Sequence, residues 1–390
     1  MSTQHPLDFG IFLPPLHPVG QNPTLSLQRD LELIEHLDRL GFDEAWIGEH
    51  HSSGYETIAS PEVFIGVASQ RTDHIRLGTG VNSLPYHHPL ILADRIIMLD
   101  HITRGRMMFG AGPGQLTSDA FMLGIHPDEQ RRMMEESFEV MLALFQGETV
   151  TRKTDWFTIE EGVLQLRPYS QPCFDIVVAA SVSPAGAKLA GRFGVGLLSV
   201  AATNPFGFEM LADHWEVVEE QAAKHGQSVD RRNWRMVGPM YVAETEEQAL
   251  EDCRHGFLSI MTYLSHILPI AQGGPTTYEE IVKEMNTAGT GVVGTPEMAI
   301  AQIERLQKQS GGFGTYLTIG ADFADWAGTL RSYELIAQYV MPHFKGQIAA
   351  PQASYDRIVD AGGKFAAATA HAIEKASNEY AAERSGSRPK

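Results

Sequence analysis

Glu49, His50 and His51 follow the apolar run Ala45-Trp46-Ile47, and of all residues in the chain they are the best suited to chemistry. Imidazole titrates near neutral pH and can give or take a proton. A strand that ends on such a group presents it where barrel enzymes keep their catalytic side chains. The competing assignment is a pair of histidines that cap a strand and meet water. The other predicted strand ends carry mostly small residues: Asn82, Gly112-Pro113-Gly114, Ala180-Ser181, Ser199 and Gly320. Small residues leave room for a flat ligand against backbone, and tight packing accounts for them as well.

Two places suit an anion. Arg131 lies near the start of a predicted helix, where free amides and a guanidinium can hold a phosphate. The alternative is that Arg131 and Arg132 pair with Glu135 and Glu136 on a solvated face. Ser181-Val182-Ser183-Pro184 opens the next helix, either as a second phosphate cradle or as a plain serine cap. Metal is not expected. His50/His51 and His87/His88 are adjacent pairs, neighbours on a strand point to opposite faces, and no ligand set has metal spacing. No Gly-x-Ser-x-Gly elbow is present, and Cys173 and Cys253 have no activating neighbours in sequence.

These residues need a scaffold, and the rest of the chain supplies its rhythm. Short apolar strands are predicted over residues 8–13, 44–49, 75–83, 106–111, 175–180, 196–200, 235–243 and 315–319. Each is trailed by a helical pattern. The first carries Leu27, Leu31, Ile34 and Leu37 and stops at Gly41; later ones span residues 89–102, 128–145, 185–193, 208–224 and 326–340. Eight such units predict an α/β fold, a (β/α)8 TIM barrel, over residues 1–346. A doubly wound sheet is the alternative, weakened because no Gly-x-Gly-x-x-Gly turn follows the first strand. Residues 148–172 read as a hairpin excursion and 256–293 as a mobile, mixed insertion of the kind that forms lids or binding loops. Residues 347–390, rich in Ala, read as a helical extension.

Composition narrows the function. The formal net charge is -18 with no long basic run, which argues against nucleic acid and anionic membranes. Two cysteines cannot build a disulfide framework, so a cytoplasmic protein is expected. The first residues lack a signal-peptide pattern, and no apolar run is long enough for a bilayer.

With these motifs in order, the chain resembles the bacterial luciferase-like flavin monooxygenases from about Phe9 to Phe344. The resemblance rests on 41–51; on Gly78-Thr79-Gly80-Val81 leading to Leu84-Pro85-Tyr86-His87-His88-Pro89; on Gly105-Arg106-Met107-Met108-Phe109-Gly110; on Val177-Val178-Ala179-Ala180-Ser181; on Val293-Gly294-Thr295-Pro296-Glu297; and on Val340-Met341-Pro342. The limonene 1,2-monooxygenase-like branch is the most similar, with likeness to type II Baeyer–Villiger enzymes as well. The resemblance implies a homodimeric barrel that takes reduced FMN, or FAD, from a separate NAD(P)H flavin reductase and uses O2 on a small apolar substrate. It implies that His50 handles the flavin peroxide and that Gly80-Val81 is a non-prolyl cis peptide beside the flavin ring, with Asn82 and Ala180 alongside. Arg131, Ser181 and Ser183 would serve the phosphate. Ala180 stands where luciferase has a Glu, Gly112 where it has a reactive Cys and Pro113 where it has an Arg, which argues against aldehyde oxidation with light emission. Epoxidation or hydroxylation is expected. Baeyer–Villiger oxidation, a deazaflavin-dependent dehydrogenase and a non-catalytic flavin-binding subunit are the alternatives.

Overall fold

The computed structural model describes residues 6–181, 183–200, 210–267 and 277–386. Eight parallel strands form its frame: β1 (Asp8–Leu16), β2 (Glu44–Ile47), β3 (Arg76–Thr79), β4 (Met107–Gly112), β5 (Asp175–Ala180), β6 (Gly196–Ser199), β7 (Trp234–Gly238) and β8 (Thr315–Ala321). Each pairs with the next, and β8 returns to β1 through Asp8↔Thr315 to Phe12↔Ile319, so the sheet closes on itself. Closure excludes the doubly wound sheet and makes the fold a (β/α)8 barrel.

The helices are α1 (Pro23–Leu40), α2 (Pro61–Ala68), α3 (Pro89–Ile102), α4 (Thr117–Met122), α5 (Gln130–Phe145), α6 (Ala185–Phe193), α7 (Leu211–Lys224), α8 (Glu246–Ile267), α9 (Tyr278–Ala288), α10 (Pro296–Ser310) and α11 (Trp326–Leu335). Their ends follow local chemistry. Asn22 caps α1 by accepting from the Thr24 amide at 3.0 Å, and Gly41 stops it at φ 82°, a conformation cheap only for glycine. Ser60 caps α2, with Pro61 at the first position. The expected start of α7 at Phe208 and part of the expected insertion lie outside the described residues.

Two predicted strands are divided. The third stops at Thr79, and the chain resumes as Asn82–Ser83 beside β4, with a cis Gly80–Val81 peptide between. The seventh ends at Gly238. Pro239 has no N–H for the ladder, and Met240–Val242 leaves the barrel to pair with Val292–Gly294. The insertion between β7 and β8 is helical and begins with α8, ten residues before the expected start. Its helices share an apolar cluster of Tyr241, Cys253, Phe257, Ile260, Tyr278 and Val282. Residues 148–172 do hold a hairpin, Val150–Lys153 against Thr158–Gly162. The chain divides into two compact units, Met1–Met341 and Pro342–Lys390. The second unit consists mainly of helices Ala349–Asp360 and Gly362–Arg384, which bury none of their residues. No helix among the described residues is long and apolar enough to cross a membrane.

The barrel interior is filled, with chemistry kept to one end. Trp46, Met108, Val177, Leu198, Val237 and Leu317 make the middle layer. A Cβ on Gly78 would come within 2.6 Å of the Trp46 ring, so glycine makes room for it. Below, at the strand starts, Arg235 is buried against Glu44 at 3.0 Å and Asp175 at 2.6 Å. Arg76 pairs with both carboxylates, and Trp46 donates its indole N–H to Glu44 at 2.8 Å. This cluster seals the end opposite the strand termini that carry His50 and Asn82.

Candidate active site

His50 lies just past β2, with its amide held 3.1 Å from the Ile58 carbonyl. Its ring sits between two carboxylates: Nε2 is 2.9 Å from Glu56 and Nδ1 is 3.2 Å from Asp119. Burial alone would pull its pKa down. The hydrogen bonds to Asp119 and Glu56 and their charges outweigh burial and raise it to about 9. The neutral imidazole that the bare sequence predicts near working pH is therefore replaced by an imidazolium. Asp119 comes from α4 and is fixed in turn by the His51 amide at 3.1 Å and the Ser52 hydroxyl.

Beside this pair is a second one. Glu49 is buried, yet it stays ionised with its pKa lowered to about 2: burial opposes ionisation, and hydrogen bonds from His51 and His87 overcome it. Both histidines reach the same oxygen, His51 at 2.9 Å and His87 at 2.8 Å. The other oxygen accepts from the Ser83 amide at 2.9 Å and the Asn82 side-chain amide at 3.3 Å. Asn82 is thereby oriented with its carbonyl oxygen, Oδ1, buried and without a partner among the described residues. A buried acceptor left this way costs free energy unless a ligand serves it. His50 and His51 turn to different carboxylates, His50 to Glu56 and Asp119 and His51 to Glu49.

At the same end of the barrel the small residues of β4 are closely packed. A Cβ on Gly112 would meet Val81 Cγ2 at 2.4 Å, and one on Gly110 the Thr79 carbonyl at 2.2 Å. Ala180 is buried at the end of β5. Ser199, by contrast, is spent on structure, since the Trp234 indole donates to its hydroxyl at 2.7 Å.

On the anion side, Arg131 and Arg132 have different roles. Arg132 pairs with Glu129, Glu136 and Asp155, and Glu135 is taken by Arg192. Arg131, second residue of α5, is exposed and has no hydrogen bond or ion pair among the described residues. Neither α5 nor α6 has a side-chain cap on its first amides. Pro184 holds the cap position of α6, so Ser183 is not the plain serine cap that the sequence allowed. Ser181 is exposed and Ser183 half-buried, while Val182 lies outside the described residues. Among the described residues no group of three or more His, Cys, Asp or Glu has the arrangement to hold a metal.

Glu56, Asp119 and Tyr263 complete the site and were not legible as site residues in the sequence. Glu56 is six positions from His50, and Asp119 and Tyr263 are brought in by helices α4 and α8. Only the acidic charge next to apolar runs gave a signal, and that signal is common on any surface.

The closed barrel and the strand-end histidine in its carboxylate clasp fit a barrel enzyme. The sequence profile of the luciferase-like monooxygenases matches residues 7–312, and the chain belongs to that family. It is 52% identical over 378 residues to limonene 1,2-monooxygenase of Rhodococcus erythropolis, spanning 97% of each chain. Among solved structures, a monooxygenase from Streptomyces bottropensis superposes with a TM-score of 0.77 at 25% identity, covering 87% of this chain and 100% of that one. The oxygenating constituent of 3,6-diketocamphane monooxygenase from Pseudomonas putida, a type II Baeyer–Villiger enzyme solved with FMN, superposes with a TM-score of 0.72 at 23% identity, over 87% and 99% of the two chains.

Proposed function

We propose that this monooxygenase binds reduced FMN delivered by a separate reductase and inserts one atom of O2 into a small cyclic, terpene-like alkene, giving an epoxide. The observation that carries the reading is the near full-length 52% identity with a limonene 1,2-monooxygenase. The residues present fit a flavin. Asn82 offers a buried acceptor without a partner, as a flavin ring N–H requires. Gly80 and Val81, in the cis peptide after β3, and Ala180, at the end of β5, are the residues proposed to border the ring. Arg131, with the uncapped amides of α5 and α6 near Ser181 and Ser183, suits the phosphate. The bound flavin supplies the electrons and the atom at which O2 is activated.

The protein's own part is to bind, orient and hold a proton. His50 keeps its proton through neutral pH because Glu56 and Asp119 stabilise the cation. A group that retains its proton suits transfer of an electrophilic oxygen to an alkene. The identity with a limonene 1,2-monooxygenase is what favours epoxidation over Baeyer–Villiger oxidation. The test is to supply chemically reduced FMN, O2 and limonene to the purified chain and to analyse the products: an epoxide supports the reading, and turnover of a cyclic ketone to a lactone with no reaction on limonene overturns it.

Arg131→Ala should weaken reduced-flavin binding by roughly 1.5–3 kcal/mol, about tenfold to a hundredfold, through loss of a charge-assisted hydrogen bond. Flavin titration under anaerobic conditions reads this directly, and unchanged affinity would remove Arg131 from the phosphate site.

We further infer a homodimer through α2 and α3. Helix α3 buries Leu92, Ile96 and Leu99 and carries the exposed Arg95 on its outer side. Its outer stripe nevertheless carries Ile91 and Met98, each 48% exposed, beside Val63 at 70% and Val67 at 48% on α2. Exposed apolar surface of this continuity marks an interface. Val63→Glu combined with Met98→Glu should shift sedimentation from dimer to monomer, and a wild-type chain that sediments as a monomer at micromolar concentration would contradict the assignment.

A further inference from the structure

Tyr263 lies near the end of α8, in the insertion after β7, and reaches the loop that carries His50. Its hydroxyl donates to Glu56 Oε1 at 2.7 Å and lies 2.9 Å from the Ser53 hydroxyl. Glu56 uses its other oxygen, Oε2, on His50 Nε2 at 2.9 Å. The Tyr263 ring stacks on Tyr55, with centroids 4.2 Å apart and planes 6° from parallel. Tyr263 and Glu56 are both buried, so the carboxylate has little water to replace a lost donor. A chain of hydrogen bonds therefore runs from the insertion helix through one carboxylate to the strand-end imidazole.

We propose that Tyr263 is a positioning residue for His50: its hydroxyl fixes the Glu56 carboxylate so that Oε2 faces the imidazole. The inference rests on the reading of His50 as the proton-holding group of the reaction. The charged and titratable groups facing the His50 ring are Glu56 from its own loop and Asp119 from α4, with His51 next in the chain and Tyr263 behind Glu56. Without the Tyr263 hydroxyl, one oxygen of Glu56 is left buried and unserved. The carboxylate is then free to turn away from the imidazole, which withdraws negative charge from His50.

Tyr263→Phe keeps the ring and its stack and removes only the donor. Ring 15N shifts of the full-length protein, with the His50 signal assigned by its loss in His50→Asn, give the titration midpoint of His50. The expected result is a fall of about one pH unit in Tyr263→Phe. Glu56→Gln should produce a larger fall. Tyr55→Phe, which removes the neighbouring hydroxyl that faces Ser259 instead, should leave the midpoint in place. At pH 9, product formed per reduced flavin should fall several-fold in Tyr263→Phe while flavin affinity stays within about twofold. An unchanged His50 midpoint in Tyr263→Phe, or an equal fall in Tyr55→Phe, overturns the proposal whatever happens to the yield. A lowered midpoint with undiminished yield supports the positioning link and refutes the catalytic reading of His50, so the two claims fail separately.

Discussion

His50→Ala is expected to keep its flavin and lose its product. A positioned acid–base group contributes about 100- to 10,000-fold in rate. Oxygen chemistry that proceeds without it should end as hydrogen peroxide, so the yield per reduced flavin should collapse rather than dip. The pH profile carries the sign. His50 is raised from its ordinary 6.5 to about 9, so the cation is the resident form through neutral pH. Coupling should hold up to about pH 8 and decline as pH rises through about 9. The stability that the clasp contributes follows the same course: it is fully present below the unfolded value of 6.5 and is lost as pH rises through the folded value. A histidine that only braced the loop would behave differently, since His50→Ala would then lower the melting temperature with coupling intact. A variant that remains fully coupled refutes the catalytic role.

The second large effect is at the opposite end of the barrel. Arg235→Met keeps the bulk and removes the charge that Glu44 and Asp175 share. Arg76 remains, but it cannot replace a guanidinium that is buried against both carboxylates. Removing one partner of a buried ion pair costs about 3–5 kcal/mol, because the remaining charge stays desolvated. Urea unfolding should show a loss of that order with flavin affinity little changed. Adding Glu44→Gln to Arg235→Met should restore part of it, since the stranded charge is gone. Glu44 and Asp175 both have lowered pKa values; burial opposes this, and the neighbouring guanidiniums prevail. Their contribution is present above the ordinary carboxylate range and lost as pH falls through the lower folded values. Acid unfolding of Arg235→Met should therefore begin at a higher pH than in the wild type. A stability loss below about 1 kcal/mol would show that the cluster does not hold the barrel.

The barrel was legible because each unit repeats the same two signals, an apolar run and a helical pattern. β5, α3 and α6 fall where periodicity and capping residues put them. Boundaries failed where a residue without a ladder N–H or a change of backbone direction intervened, at Pro239 and around Gly80–Val81. Within the site, His50 was legible from its strand-end place and Asn82 from its place at the end of the third predicted strand. The protonation of His50 was not, because Asp119 and Glu56 act through space and their reach depends on how α4 and the loop after β2 fold back. The ion cluster of Glu44, Arg76, Asp175 and Arg235 does leave a trace in the sequence, a charge at the start of strands two, three, five and seven. The apolar runs beside those charges mask it, because a charge flanking a strand is equally common where the chain simply meets water.

The central claim is that this chain uses reduced FMN and O2 to place one oxygen atom on a cyclic alkene. Its most direct test is a single-turnover reaction of the purified chain with reduced FMN, limonene and 18O2, read by mass spectrometry. The predicted product is limonene epoxide carrying one 18O atom, in near one-to-one yield with the flavin oxidised. Complete oxidation of the flavin with O2 reduced to hydrogen peroxide and no labelled product, or a product whose oxygen comes from water, would contradict it.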